Sequence, residues 1–378
     1  MDRLSQPRPA LPSPLDRNRT RPTNRKTSSL QQTELCHSPV TNQNPAKQME
    51  KFSRWRDPGT GIQPFLPPKP PRVDGSGVKG AVSVLETYIL GPPLAVVKGL
   101  LVGILGLFFL GLNNIGSLLA IPILHRLWMQ LISALVLRPL LFLFGFYYIP
   151  FETVTLRKGM RRGDAVESHL QRKIQSGDII AANHNSYIDI LILQCFYAPV
   201  FTTVSEAGLV RSISFLEALL TTGNEPRLKS SSNHVPLSQL GTTSNGRGLL
   251  RFLPVFNHVD LNETTIHIVG LKYDYEQYCP AYTCGDKQSH VYGLLTQFVN
   301  HVSIKLLPAS ECAIDPKSIP VGIAVNPLEG VVGTQVSNYL GQILRTRKTG
   351  QGATDKVDFL DYYREVESKK YIGKSKKA

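Results

Sequence analysis

The nineteen residues from Leu94 to Leu112, LAVVKGLLVGILGLFFLGL, carry one charge, Lys98, and they constrain the fold of this chain more than any other feature. A helix needs about 20 apolar residues to cross the hydrocarbon layer of a bilayer. This run meets that length, and a lysine so near its start can reach back to the headgroups along its flexible stem. A second run, LWMQLISALVLRPLLFLFGFYYI at 127–149, is also of spanning length but holds Gln130 and an Arg138-Pro139 break. It fits a kinked span, a re-entrant hairpin or an interfacial helix. Two buried core helices are the alternative for both runs, but stretches this long and this rich in Gly, Leu and Phe favour a membrane. Tyr147 and Tyr148 then mark an interface. Arg157, Lys158, Arg161 and Arg162 follow them, which puts the rest of the chain on the cytosolic side.

The segment before these runs is different in kind. Residues 1–80 are rich in Pro, Ser, Thr, Asn, Gln and Arg, and show no sustained apolar period. Such a segment does not bury enough surface to offset the entropy of ordering, so it is expected to be a disordered basic tail. It holds 14 Lys and Arg against 6 Asp and Glu, a net of +8 out of the chain's +14. Beside long apolar runs, the natural partner of that charge is an anionic membrane surface rather than nucleic acid. The start lacks the apolar region of a secretory signal, and Met49 opens a more aromatic stretch suited to an alternative start. The five cysteines, Cys36, Cys195, Cys279, Cys284 and Cys312, form no metal-binding spacing and no disulfide framework.

After about residue 165 the pattern turns α/β. Short apolar strands at 178–183, 199–204, 265–273 and 302–308 alternate with helical segments near 187–197, 209–221, 291–299, 331–345 and 354–366. A single sheet flanked by helices accommodates this order. The expected organisation is a tail at 1–80, membrane-associated helices at 81–150, a catalytic α/β domain at 151–345, and a C-terminal helix with a basic tail at 346–378.

Two clusters carry chemistry. Asn183-His184-Asn185-Ser186-Tyr187-Ile188-Asp189 follows a strand and opens an apolar helix. A His at such a turn and an Asp on the helix's first turn can meet, the carboxylate holding one imidazole nitrogen while the other acts as a base. The plainer reading is a capping histidine and a first-turn acid stabilised by the helix dipole. The second cluster is Gly241-Thr242-Thr243-Ser244-Asn245-Gly246-Arg247-Gly248, with a helix-like continuation LLRF. Its glycines and hydroxyls suit an anion, and Arg247 can grip phosphate through two parallel bonds. The alternative is a surface turn, and the absence of a Gly-Lys-Ser/Thr ending argues against nucleotide hydrolysis.

N-H-N-S-Y-I-D followed by G-T-T-S-N-G-R-G resembles the first and third motifs of the glycerol-3-phosphate and lysophosphatidic acid acyltransferase family. The likeness is nearest to its fungal members of lipid droplets and vacuolar protein sorting, and it covers roughly residues 85–366. It implies that His184 deprotonates the acceptor hydroxyl for attack on an acyl-CoA thioester, that Asp189 orients His184, and that Gly241, Thr242 and Arg247 bind the acceptor's phosphate. Arg211 matches a further phosphate-binding basic residue and Pro254 a fourth motif, both loosely. It further implies acyl-CoA as co-substrate, no metal or prosthetic group, a lysophospholipid acceptor, and residence in the endoplasmic reticulum membrane or on lipid droplets.

One departure stands out. Where the family has Phe-Pro-Glu before the Gly-Thr, this chain has Ser238, Gln239 and Leu240. Either a short stretch is missing from the sequence there, as through a wrong exon boundary, or the site is impaired, which leaves open a non-catalytic membrane-anchored homologue; because acceptor choice depends on pocket shape, an acyltransferase for another lysophospholipid and a transacylase stay open as well. A hydrolase using Ser186 or Ser244 is weaker, because the chain has no G-x-S-x-G elbow.

Overall fold

Apolar runs of spanning length have to bury their backbone polar groups within themselves, and both runs do so as helices. The computed structural model describes residues 52–69, 85–118, 121–156, 174–175, 177–204, 210–223, 235–236, 242–258, 264–308, 311–312, 314 and 325–375. A π-turn at Leu85–Leu90 leads into α1, Gly91–Ser117. The chain then reverses into α2, Pro122–Ile132, which continues through a π-turn at Ser133–Leu137 into α3, Arg138–Leu143. Pro139 lacks an N–H and breaks the i to i−4 ladder, and the π-turn just before it absorbs the break. The two arms form a hairpin closed by small contacts. Trp128 Nε1 donates to the Leu112 carbonyl at 3.1 Å, and a Cβ on Gly116 would come within 2.5 Å of the Trp128 ring.

Two helices, Tyr88–Gly116 and Ile123–Leu143, are long and apolar enough to cross a membrane. Their outer faces, among them Val96, Leu100, Ile104, Leu107, Leu124, Leu127 and Leu131, are exposed. The inner face of the second arm (Ile132, Val136, Leu137, Leu140, Leu141) is buried in the main core. Lys98 does not reach outward as its position in the run suggested. It is buried, and its ammonium donates to the Gln297 carbonyl at 2.8 Å.

The α/β part follows in chain order. The elements are β1 (Phe151–Thr153), β2 (Ile179–Ala182), α4 (Tyr187–Tyr197), β3 (Phe201–Val204), β4 (Val210–Ile213), α5 (Phe215–Thr221), β5 (Val235–Pro236), β6 (Gly248–Leu249), β7 (Ile266–Asp274), α6 (Lys287–Leu295), β8 (His301–Leu306), α7 (Gly330–Leu344), β9 (Arg347–Lys348) and α8 (Ala353–Ser375). The main sheet runs β1-β8-β7-β2, with β2 parallel to β7, β1 parallel to β8, and β7 antiparallel to β8. Side chains alternate across it, as a pleated strand requires. Ala182, Val269, Leu271, Val302 and Ile304 point to α4 and the apolar hairpin. Ala181, Ile266 and Ile268 join the other core, with α7 and Phe359 of α8.

The expected α/β class, a sheet between helices, is what the chain forms, with several corrections. The sheet is joined by two small ones, β4-β3-β5 and β6-β9. Residues 210–213 are a strand, because they pair antiparallel with β3, and only 215–221 of the expected helix is helical. The text after Arg247 is a strand as well, since Gly248 and Leu249 pair in parallel with Arg347 and Lys348. Gly248 is required there, as a Cβ would lie 2.8 Å from the Thr349 side chain.

The largest correction concerns the tail. Residues 1–51 and 70–80 lie outside the described residues, but Phe52–Lys69 is an ordered strap. Phe52, Trp55 and Phe65 are buried against Phe359 and its neighbours. Three aromatics spaced irregularly in polar text give no periodic signal, although each buries a large apolar area.

Candidate functional site

The turn after β2 builds the site. Asn183 prolongs the sheet with its side chain, accepting from the Leu271 N–H at 2.7 Å and donating to the Leu271 carbonyl at 2.8 Å. His184 comes next, and Ser186 then caps α4, with Asp189 as the third helical residue of a capping box. The capping role and the role expected of Asp189 are thus combined in one carboxylate. Asp189 Oδ2 accepts from the Asn185 N–H at 2.5 Å, from the Ser186 N–H at 2.8 Å and from His184 Nδ1 at 3.1 Å. Its Oδ1 accepts from the Tyr273 hydroxyl.

Because Nδ1 faces a carboxylate, the proton of a neutral His184 sits on Nδ1, and Nε2 keeps its lone pair. That Nε2 is buried and has no hydrogen-bond partner among the described residues. His184 lines a cavity of about 740 Å³. Apolar side chains of α2, α4, β3, β4 and α5 (Met129, Ile190, Leu193, Phe201, Ile213 and Phe215) form much of its wall. An unpaired buried acceptor is costly, so one that persists at the wall of a cavity is a candidate base awaiting a donor.

The glycine-bearing loop lies against this turn. The Ser244 N–H donates to the His184 carbonyl at 3.1 Å, and Ser244 Oγ donates to Asn185 Oδ1 at 3.0 Å. Gly246 adopts φ +75°, a conformation that glycine takes without steric cost. On this side a second, smaller cavity of about 90 Å³ is lined by Asn185, Ser244, Gly246, Arg247 and Tyr275. Asn183 lines both cavities, so the residue 183–185 turn is the partition between an apolar chamber and a polar niche.

The two clusters read from the sequence are therefore brought together. His184 and Asp189 pair directly. Arg247 is at the polar niche, where its guanidinium also meets the Lys69 carbonyl at 3.5 Å and the Tyr275 hydroxyl. Thr242 is buried at the start of the loop but lines neither cavity, Gly241 lies outside the described residues, and so do Ser238, Gln239 and Leu240. Arg211 is exposed on β4 and lines neither cavity. Pro254 precedes Val255 and Phe256, which reach the larger cavity.

Three features lie beyond the sequence reading. Tyr273 closes the hydrogen-bond shell of Asp189. Burial and the neighbouring carboxylate push its phenol well above the ordinary range, so it stays protonated and remains a donor. Its place at the end of a period-2 strand, LKYDY, is the one sequence signal for it. Tyr273→Phe removes a bond to a charged acceptor, and kcat for the reaction proposed below is expected to fall about 10-fold, equivalent to roughly 1.4 kcal/mol. Steady-state kinetics check this, with KM for both substrates expected within about twofold of wild type. The strap clamps the loop. The Asn245 N–H donates to the Pro64 carbonyl at 2.9 Å, and Asn245 Nδ2 donates to the carbonyls of Gln63 and Leu66 at 2.8 and 2.9 Å. Lys356 of α8 holds the loop from behind at Thr243.

Comparison with known proteins gives two relatives. The chain is 28% identical over 341 residues, covering 86% of its length and all of the relative, to the "Putative lysophosphatidic acid:oleoyl-CoA acyltransferase" of Schizosaccharomyces pombe. It is 27% identical over 240 residues, covering 54% of this chain and 58% of the relative, to "Lysophospholipid acyltransferase LPEAT1" of Arabidopsis thaliana. The chain is thus a homologue of acyltransferases along most of its length. No protein-family model matches it, and no solved structure matches it significantly.

Proposed function

We propose that this chain is an acyl-CoA-dependent acyltransferase that converts lysophosphatidic acid to phosphatidic acid. The observation that carries the reading is the environment of His184. One ring nitrogen is held by Asp189, the other is unpaired at the wall of an apolar chamber, and the polar niche of Arg247 lies across a one-turn partition. In the proposed reaction His184 Nε2 takes the proton of the acceptor's free hydroxyl as its oxygen bonds to the thioester carbonyl carbon. The tetrahedral adduct then expels the CoA thiolate, breaking the C–S bond, and the imidazolium returns the proton to sulfur. The apolar chamber receives the acyl chain, and Arg247 at the niche holds the phosphate. Acyl-CoA is the co-substrate, and no metal or prosthetic group takes part.

The apolar hairpin supports a membrane location. The text from Ile115 to Leu124 has no charged residue, and its side chains at Leu118, Ile121 and Ile123 are exposed. A turn meant for a lumen full of water would be polar. An apolar tip suits a hairpin that enters one leaflet and returns, leaving the α/β domain in the cytosol. Such a hairpin is compatible with the endoplasmic reticulum bilayer and with the monolayer of a lipid droplet, where phosphatidic acid feeds phospholipid and triacylglycerol synthesis.

A second reading, a non-catalytic membrane-anchored homologue, is favoured by the replacement of Phe-Pro-Glu by Ser238, Gln239 and Leu240. One assay separates the two: transfer from labelled oleoyl-CoA to a panel of lysophospholipids in membranes carrying this chain. Labelled phosphatidic acid as the main product is the expected result. Transfer to another lysophospholipid alone overturns the acceptor, and transfer to none of them supports the second reading.

A further inference from the structure

The polar niche beside Arg247 has two further walls, and both come from elements far from the two sequence clusters. Ile266 and Ile268 of β7 face α7, and strand alternation puts Gly270 and Lys272 on the same side. Gly270 lets the end of α7 close on the strand, since a Cβ there would lie 2.8 Å from the Leu344 side chain. Lys272, two residues on, is exposed beyond that cover and lines the niche. Its ammonium lies 3.8 Å from Asp274 Oδ1, but a pair this open to water holds little energy and exchanges for a better-placed anion. The chain leaving α7 supplies the other wall. Arg345 turns left-handed at φ +54°, the Thr346 N–H donates to the Gly341 carbonyl at 3.0 Å, and Thr346 then lines the niche. Thr346 Oγ1 is buried and has no hydrogen-bond partner among the described residues. A hydroxyl kept in that condition at a cavity wall is suited to a ligand that brings the missing acceptor.

We propose that Lys272 and Thr346 complete the acceptor site that Arg247 begins, and that these two cations and one hydroxyl select a phosphomonoester headgroup over a phosphodiester. The proposal rests on the acyltransferase reading above and narrows its acceptor. Charge is the first ground. A phosphomonoester carries about −1.5 to −2 at pH 7, whereas a phosphodiester has no second proton to lose and stays at about −1. One arginine balances a diester. A monoester leaves charge over for a second cation, and Lys272 is the one that lines the same niche. Size is the second ground. A cavity of about 90 Å³ equals the liquid share of about three waters, which suits a bare phosphate better than one carrying a further headgroup. Arg247 offers its planar fork and Lys272 a compact point charge, so the two grip different oxygens of one anion. Thr346 then donates to a third. All three reach the niche from separate parts of the chain, the glycine-bearing loop, β7 and the turn after α7.

The test measures transfer from labelled oleoyl-CoA to lysophosphatidic acid and to lysophosphatidylethanolamine by the full-length wild type, Lys272→Met and Thr346→Val. Lys272→Met is expected to raise KM for lysophosphatidic acid about 10-fold or more, and to leave kcat/KM for lysophosphatidylethanolamine and KM for oleoyl-CoA within about twofold. Thr346→Val keeps the shape of the side chain and is expected to raise KM for lysophosphatidic acid about 10-fold. Its Tm should be unchanged or higher, because the deleted hydroxyl bonds to nothing described in the free protein. A KM for lysophosphatidic acid within twofold of wild type in either variant overturns the proposal. So does an equal loss toward lysophosphatidylethanolamine or oleoyl-CoA, which marks a merely structural change. Asp274→Asn controls for the surface pair: an unchanged or lower KM for lysophosphatidic acid supports the proposal, and a rise equal to that of Lys272→Met overturns it. If the wild type transfers no acyl group, the enzymatic reading fails on its own. Thermal shift with glycerol 3-phosphate against glycerophosphoethanolamine then decides the proposal. Stabilisation of the wild type by the monoester alone, lost in Lys272→Met, supports it, and equal or absent stabilisation overturns it.

Discussion

His184→Ala is expected to lower kcat for acyl transfer about 10³-fold, within the range that a positioned general base contributes. The fold should barely notice. His184 Nε2 is already unsatisfied in a buried position, so deleting it removes a desolvated acceptor rather than a bond. Asp189 keeps three of its four donors, the N–H groups of Asn185 and Ser186 and the Tyr273 hydroxyl. Transfer measured beside the melting temperature is therefore decisive. A well-folded, inactive variant supports the base role, and one that retains more than about a tenth of wild-type turnover sinks it.

The second large effect concerns the strap. A chain begun at Met49 keeps Phe52, Trp55, Phe65 and every described contact to the loop, and is expected to melt and turn over like the full chain. A chain begun after Lys69 loses all three aromatics. Truncating one buried Phe or Trp to Ala costs about 3–5 kcal/mol, and whole domains are stable by only about 5–15 kcal/mol. Removing the three together, with the carbonyls that hold Asn245, is expected to abolish activity and the cooperative unfolding transition seen with the Met49 chain. Circular dichroism melts and the acyl-transfer assay on both truncations check this. A shorter chain with wild-type Tm and activity would leave the strap without a role.

The apolar runs, the alternation of strands and helices, and the His184–Asp189 pair were legible because each is local. A strand, a turn and a first helical turn fall within about ten residues, and their periodicities are written in adjacent letters. The strap was not legible, because its order comes from partners on α8 rather than from its own polar text. The strand at 248–249 was misread as helix because its pairing partner, 347–348, is about a hundred positions away. Lys98 was misplaced for a related reason. The carbonyl that receives it belongs to Gln297, which neighbours it only after the hairpin has docked on α6. Tyr273 and Lys356 are the same case at the site: each acts on a short motif from a distant element.

The clamped loop also sets an order of assembly. Its contacts reach back 182 positions to Gln63 and forward 113 positions to Lys356. Closing such loops is slow compared with forming a helix or a local turn. On the ribosome, the His184–Asp189 turn can form while the chain is still growing. The loop at 242–248 has to wait until α8 has emerged and the strap has folded back over it. A nascent chain thus carries a half-built site, its His184–Asp189 turn in place before the loop beside it is clamped from both sides.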